Sequence, residues 1–172
     1  MERSVGRVSL IYLLTSAVVL VVDLWTKKLA EELLAGKEIQ ILPFLSLVLV
    51  YNKGVAFGLF SDSHDLIRLP ILLLAPVLAL IITFFYSLKR KEPVTGFLMG
   101  LIGGGSLGNL YDRLFLGQVR DFLYLHYGWF SWPAFNIADA SITCGIFLYL
   151  LYSSGLHLFT LPKHWGQRSK NT

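Results

Sequence analysis

The run Val94-Thr-Gly-Phe-Leu-Met-Gly-Leu-Ile-Gly-Gly-Gly-Ser-Leu-Gly-Asn-Leu-Tyr111 decides how this chain folds. It is apolar for about the length needed to cross a bilayer. Glycine recurs in it at every fourth position: Gly96, Gly100, Gly104 and Gly108. Residues four apart lie on one helix face, so these glycines leave a bare stripe that a neighbouring helix backbone can approach closely. A tightly packed membrane helix is the prediction.

The rest of the chain agrees. Of its 172 residues 55% are hydrophobic and 15% charged, against about 25% charged in an average soluble domain. Mean hydropathy is +0.61. Three more apolar runs flank the glycine helix, giving spans over residues 8–29, 69–87, 94–113 and 136–156 of a single domain, 1–172. The first follows Arg3 and Arg7 like a signal peptide, but no small-x-small cleavage site comes after it, so it reads as a retained helix. Asp23 and Lys27 sit four apart near its end, acid first, the better order for an ion pair. The expected fold is an all-α membrane protein with a small extracytoplasmic β part.

Basic residues set the orientation. Arg3 and Arg7, the Lys89-Arg90-Lys91 loop and the tail 157–172 with Lys163, Arg168 and Lys170 fall on one side, which the positive-inside rule makes cytoplasmic. Both termini are then inside, and residues 30–68 and 114–135 outside. Within the first outer segment, Ile39 to Tyr51 is broken by Pro43 and rich in Leu and Val, suiting one or two strands closed by an Asn52-Lys53-Gly54 turn. Ser61-Asp62-Ser63 offers a cap for a short helix to about Arg68. In the second, Val119 to Tyr127 alternates as a strand does, and Trp129-Phe130-Ser131-Trp132-Pro133 has the makeup of an aromatic interfacial anchor.

Chemistry enters where the third span ends and the fourth begins. Val119-Arg-Asp-Phe-Leu123 and Phe135-Asn-Ile-Ala-Asp139 each set a carboxylate beside an apolar span at the same membrane face. Two close carboxylates share a proton because both cannot ionise together. One can then act as general base on water while the other polarises a carbonyl. Spacing alone equally allows each Asp to cap a helix or to pair with Arg113 or Arg120. Asn109 and Arg113, four apart, put a row of donors on the helix face beside this region, and Asp112 adjoins Arg113 as a neutralising charge. The glycines lack the Lys-Ser/Thr ending of a phosphate loop, which excludes nucleotide binding. His64, His126, His157 and His164 show no metal-ligand spacing and read as surface or interfacial residues, and the single Cys144 cannot form an intrachain disulfide.

Five blocks, Asp23-Leu-Trp-Thr-Lys27, Tyr51-Asn-Lys-Gly-Val-Ala-Phe-Gly58, Gly104 to Arg113, Val119-Arg-Asp-Phe122 and Phe135-Asn-Ile-Ala-Asp139, appear in the order found in the bacterial lipoprotein signal peptidases (signal peptidase II). The chain resembles that family over residues 8–156. The resemblance implies an intramembrane aspartyl endopeptidase that removes the signal peptide of prolipoproteins just before a diacylglyceryl-modified cysteine. It implies Asp121 and Asp139 as the catalytic dyad, and Asn52, Gly54, Asn109, Arg113 and Asn136 as substrate-binding residues around it. Asp23 and Lys27 would be polar support, the outer strands a periplasmic cradle, and the short helix a lid. No cofactor, metal or nucleic acid is implied. The partners would be lipid-modified prolipoproteins, membrane lipids and globomycin-type inhibitors, for a monomer in the bacterial cytoplasmic (inner) membrane. A second reading, a proton-coupled transporter or channel subunit with the two Asp as proton carriers, would place its acids at the midplane of repeated halves. Here both stand at one edge, and no repeat is evident.

Overall fold

A computed structural model describes residues 2–54 and 65–154. Helices occupy all four expected positions: α1 (Glu2–Leu33), α2 (Asp65–Arg90), α3 (Pro93–Leu116) and α4 (Ile137–Ser153). By length and apolarity Ser4–Leu33 and Pro70–Arg90 each suffice to cross a membrane, and Ile137–Ser153 is a shorter apolar helix. Four strands, β1 (Ile39–Leu42), β2 (Leu45–Asn52), β3 (Val119–Tyr127) and β4 (Phe130–Ser131), form one antiparallel sheet in the order β1-β2-β3-β4.

One expected element merges with another. Residues 65–68 are not a separate lid helix but the opening turn of α2, which runs on through Pro70 and Pro76. A proline removes one N–H, and within an apolar helix breaking the ladder altogether would strand more backbone groups than that. Residues 62–64 of the expected lid lie outside the described residues.

α3 is the central post, and its glycines explain why. A Cβ on Gly104 would meet Val19 Cβ at 2.6 Å and the Ser16 carbonyl at 2.8 Å; on Gly100 it would meet the Tyr12 carbonyl at 2.9 Å. The stripe is therefore filled by the α1 backbone, and Ser16 Oγ donates across the seam to the Gly100 carbonyl at 3.0 Å. Gly105 faces the other way, where a Cβ would run into the Ala138 carbonyl of α4. Adjacent glycines thus admit one helix on each side of α3. On the third side Tyr12 packs with Met99 and Ile102, edge-on to Phe84 of α2.

At its outer end α3 stops at Gly117, whose left-handed φ of 70° returns an N–H to the Arg113 carbonyl and turns the chain into β3. There Phe122 packs on Ala30 of α1 and on Leu34 just past its end, seating the sheet on the helix end. The β3–β4 hairpin carries the aromatic run outward, with Trp129 96% exposed at its tip.

Candidate active site

Strand alternation divides β3. Arg120 and Phe122 face α1, whereas Asp121 faces a cavity of about 470 Å³ between β3, α3 and α4. β2 contributes an irregularity here: Leu47 pairs with Leu123 and Val50 with Asp121, three residues against two, so one extra β2 residue sits between. Such a bulge re-aims the side chains beyond it. Beyond it Asn52, diagonal to Asp121, donates from Nδ2 to Asp121 Oδ2 at 3.1 Å.

Asp139 arrives by a different route. Asn136 and Asp139 cap α4 reciprocally: Asp139 N donates to Asn136 Oδ1 at 2.9 Å, and Asn136 N to Asp139 Oδ2 at 3.2 Å. The capping role that spacing allowed for Asp139 is thus realised, and the cap is what aims the carboxylate into the cavity. Asn136 Nδ2 also donates to Asp121 Oδ1 at 2.7 Å, so one residue reaches both carboxylates, Asp121 from its side chain and Asp139 from its backbone. Asn109 Nδ2 donates to Asp139 Oδ1 at 2.7 Å, while its Oδ1 accepts from Lys27 Nζ and from Asn136 Nδ2, both at 3.1 Å. Two donors on that oxygen fix which way the Asn109 amide points.

Burial pushes the Asp121 carboxyl up, the Asp139 charge pushes it further, and the Asn52 and Asn136 donors oppose both; the result is about 7. Arg113 lies beside the two acids, with one long contact from Nη2 to the Gly54 carbonyl at 3.4 Å. Its Nε is buried and has no acceptor among the described residues.

Behind this layer Asp23 and Lys27 are fully buried with a 2.7 Å ion contact, as their spacing predicts. Gly108 leaves room for the Asp23 carboxylate, which accepts from Ala138 N at 2.8 Å and so satisfies a helix-end donor of α4. Asp112 makes no ion pair with Arg113. It holds Arg120, at 2.7 Å to Nη2 and 3.2 Å to Nε, and stands 3.5 Å from Lys27 Nζ. Successive helix residues point about 100° apart, so sequence neighbours on α3 serve different faces. Of the histidines, only His126 falls among the described residues; it is half-buried, bonded to Ser46 Oγ at 3.0 Å and stacked on Tyr124. Sequence reasoning missed Asp112, Arg120 and Glu31 as partners. The Asn136-x-x-Asp139 spacing was a cap signal within reach.

Paired acids in a cleft at the end of an apolar helix bundle are the build of a membrane enzyme. A solved bacterial membrane enzyme, determined by the in meso method at 2.3 Å, superposes with TM-score 0.71 and 25% identity, covering 88% of this chain and 94% of that one. The family model for signal peptidase (SPase) II matches residues 15–154. Lipoprotein signal peptidases of Aquifex aeolicus and of a Sulfurihydrogenibium species are 52% and 48% identical, over 94% and 83% of this chain and 94% and 90% of their own length. That of Francisella tularensis subsp. novicida is 38% identical over 91% of this chain and 97% of its own. The chain belongs to the signal peptidase II family and is a protease.

Proposed function

We propose that this enzyme removes the signal peptide from diacylglyceryl-modified prolipoproteins, cutting N-terminal to the lipidated cysteine with Asp121 and Asp139 activating a water. One observation carries the reading: both carboxylates face one cavity, gripped by amide donors, and Asp121 keeps a proton near neutral pH.

The chemistry then runs without other groups. Asp139, in the first turn of α4 where an anion is accommodated, takes a proton from water as the water oxygen bonds to the scissile carbonyl carbon. Asp121 gives its proton to the carbonyl oxygen. When the intermediate collapses, Asp139 returns a proton to the leaving nitrogen, and Asp121 recovers one from the hydroxyl that becomes the new carboxyl. Asn52, Asn109 and Asn136 hold the acids in place. Arg113, with its free Nε, and Gly54 beside it bind the substrate backbone.

On this reading the chain crosses the inner membrane four times with both termini cytoplasmic, and the cavity opens at its periplasmic edge; the basic residues at 3, 7 and 89–91 support that orientation. Water reaches the acids there, and the substrate's lipid keeps its cysteine at the same depth. Globomycin-type peptides would compete for the cavity of the monomer. A carrier would need its acids at mid-bilayer, whereas Asp121 follows the end of α3 and Asp139 opens α4.

The test is cleavage of a prolipoprotein by the detergent-purified enzyme, scored by mass. Modified substrate should lose its signal peptide, and substrate lacking diacylglycerol should be cut very poorly. Asp121→Asn, Asp139→Asn and the double variant should be about equally dead, since members of one unit do not add. Either single variant retaining a tenth of wild-type turnover would remove that residue from the dyad.

A further inference from the structure

Arg120 is adjacent to Asp121 and points the opposite way, into a set of charged contacts of its own. Asp112 grips residue 120 three times, at the backbone N–H (3.0 Å), at Nε (3.2 Å) and at Nη2 (2.7 Å). Nη1 reaches Glu31 Oε2 of α1 at 3.1 Å, and the other Glu31 oxygen accepts from Tyr51 Oη at 2.8 Å. Tyr51 is the residue of β2 paired with Arg120 across the sheet. One guanidinium therefore joins α1, α3, β2 and β3 immediately behind the residue that carries the reacting carboxyl. Asp112 is also 3.5 Å from Lys27 Nζ, the donor that orients the Asn109 amide toward Asp139.

Charges alternate along this line: Asp23, Lys27, Asp112, Arg120, Glu31. Four of the five are buried, and buried charges persist only when each is paired. Glu31 is the accessible end, its side chain 43% exposed. A guanidinium makes three directed bonds to two carboxylates through a fixed fork; an ammonium cannot span both in that geometry.

We infer that Arg120 is a positioning residue, clamping β3 to Asp112 and Glu31 so that Asp121 stays in register with Asn136 and Asn52. The inference rests on the assignment of Asp121 as a reacting acid. It separates turnover from binding. The substrate contacts proposed for Arg113 and Gly54 are not part of the clamp, whereas a misplacement of about 1 Å at a reacting group can cost about 10²-fold in rate.

Steady-state cleavage by Arg120→Met, Arg120→Lys, Glu31→Ala and Glu31→Gln, with Asp121→Asn as reference, tests this. Arg120→Met should lose kcat about 30-fold or more with KM within about threefold, and Arg120→Lys should fall between it and wild type. Glu31→Ala should lose about 3- to 10-fold in kcat at unchanged KM, and Glu31→Gln, which can still accept from Arg120, should restore it. The Glu31 pair decides the matter if Arg120→Met fails to fold. Wild-type kcat in Arg120→Met or in Glu31→Ala would overturn the inference, as would a Gln variant no better than Ala. An active Asp121→Asn would instead refute the assignment on which the clamp rests.

Discussion

Replacing Asp121 by Asn should stop the enzyme and stabilise it together. The native carboxyl ionises at about 7 against an ordinary 3.8, because it is buried next to Asp139. The folded chain therefore holds a proton that the unfolded chain has already released between those two values. By linkage, stability falls as pH rises from about 4 to about 7 and stays at the reduced level above. At about 1.36 kcal/mol per pH unit, the gap is worth about 4 kcal/mol. Asparagine cannot ionise and escapes this loss. Against the gain stands one mismatch. The new amide brings donors toward Asn52 or Asn136, which now donate to Asp121 at 3.1 and 2.7 Å. A hydrogen bond lost there costs about 1 kcal/mol. Net stabilisation at pH 8 is about 3 kcal/mol, or about 6–12 °C in Tm for a chain of this size. Thermal unfolding of both proteins by intrinsic fluorescence, in one detergent from pH 4 to pH 9, measures it. The variant should be slightly the less stable at pH 4, and the curves should cross between about pH 4 and 5 and separate through neutrality. A variant no more stable than wild type at pH 8 would refute the claim that Asp121 is held protonated by its surroundings.

Three further outcomes follow from the packing and the donor set. Gly104→Ala should destabilise by about 1–3 kcal/mol and more than Gly96→Ala, since the added methyl meets backbone and Cβ atoms at 2.6–2.9 Å at the first site and nothing closer than 3.1 Å at the second; thermal midpoints rank them. Arg113→Lys, which keeps the charge but loses the fork and the free Nε, should raise KM about 10-fold, and a fully active Lys variant would mean that any cation serves. Cys144→Ala and added chelator should each leave turnover within about twofold; loss with EDTA and recovery with zinc would mean a metal-dependent reaction instead.

What could be read from the sequence was whatever is periodic or local. The glycines of α3 announce a close helix seam because residues four apart share a face, and the Asp23–Lys27 pair follows from the same geometry. Both acids of the cavity stand out because a carboxylate beside an apolar span is costly. The wiring between elements was hidden. Asp112 looked like a partner for Arg113, its neighbour, but pairs with Arg120 and Lys27 from other elements. Nothing short of tertiary placement reveals the β2 irregularity between Leu47 and Val50 that re-aims Asn52. The short helix before Pro70 was separable on paper because proline usually marks a boundary; here the helix absorbs it.

Among the described residues the hydrogen bonds to the two carboxylates come from amides: Asn52 and Asn136 to Asp121, Asn109 and the Asn136 backbone to Asp139. An amide can orient a carboxylate, but it cannot accept and pass on a proton at any ordinary pH. The buried charges Asp23, Lys27 and Asp112 are held one layer back, behind Asn109. The ring therefore insulates. Among the described residues the amides part the cavity from the buried charges, so a proton released there passes to the opposite carboxylate, the substrate or water rather than into the helix bundle. Rigidity and proton confinement come from the same three side chains, so an acidic or imidazole replacement at Asn52, Asn109 or Asn136 would open a leak even where its shape fits.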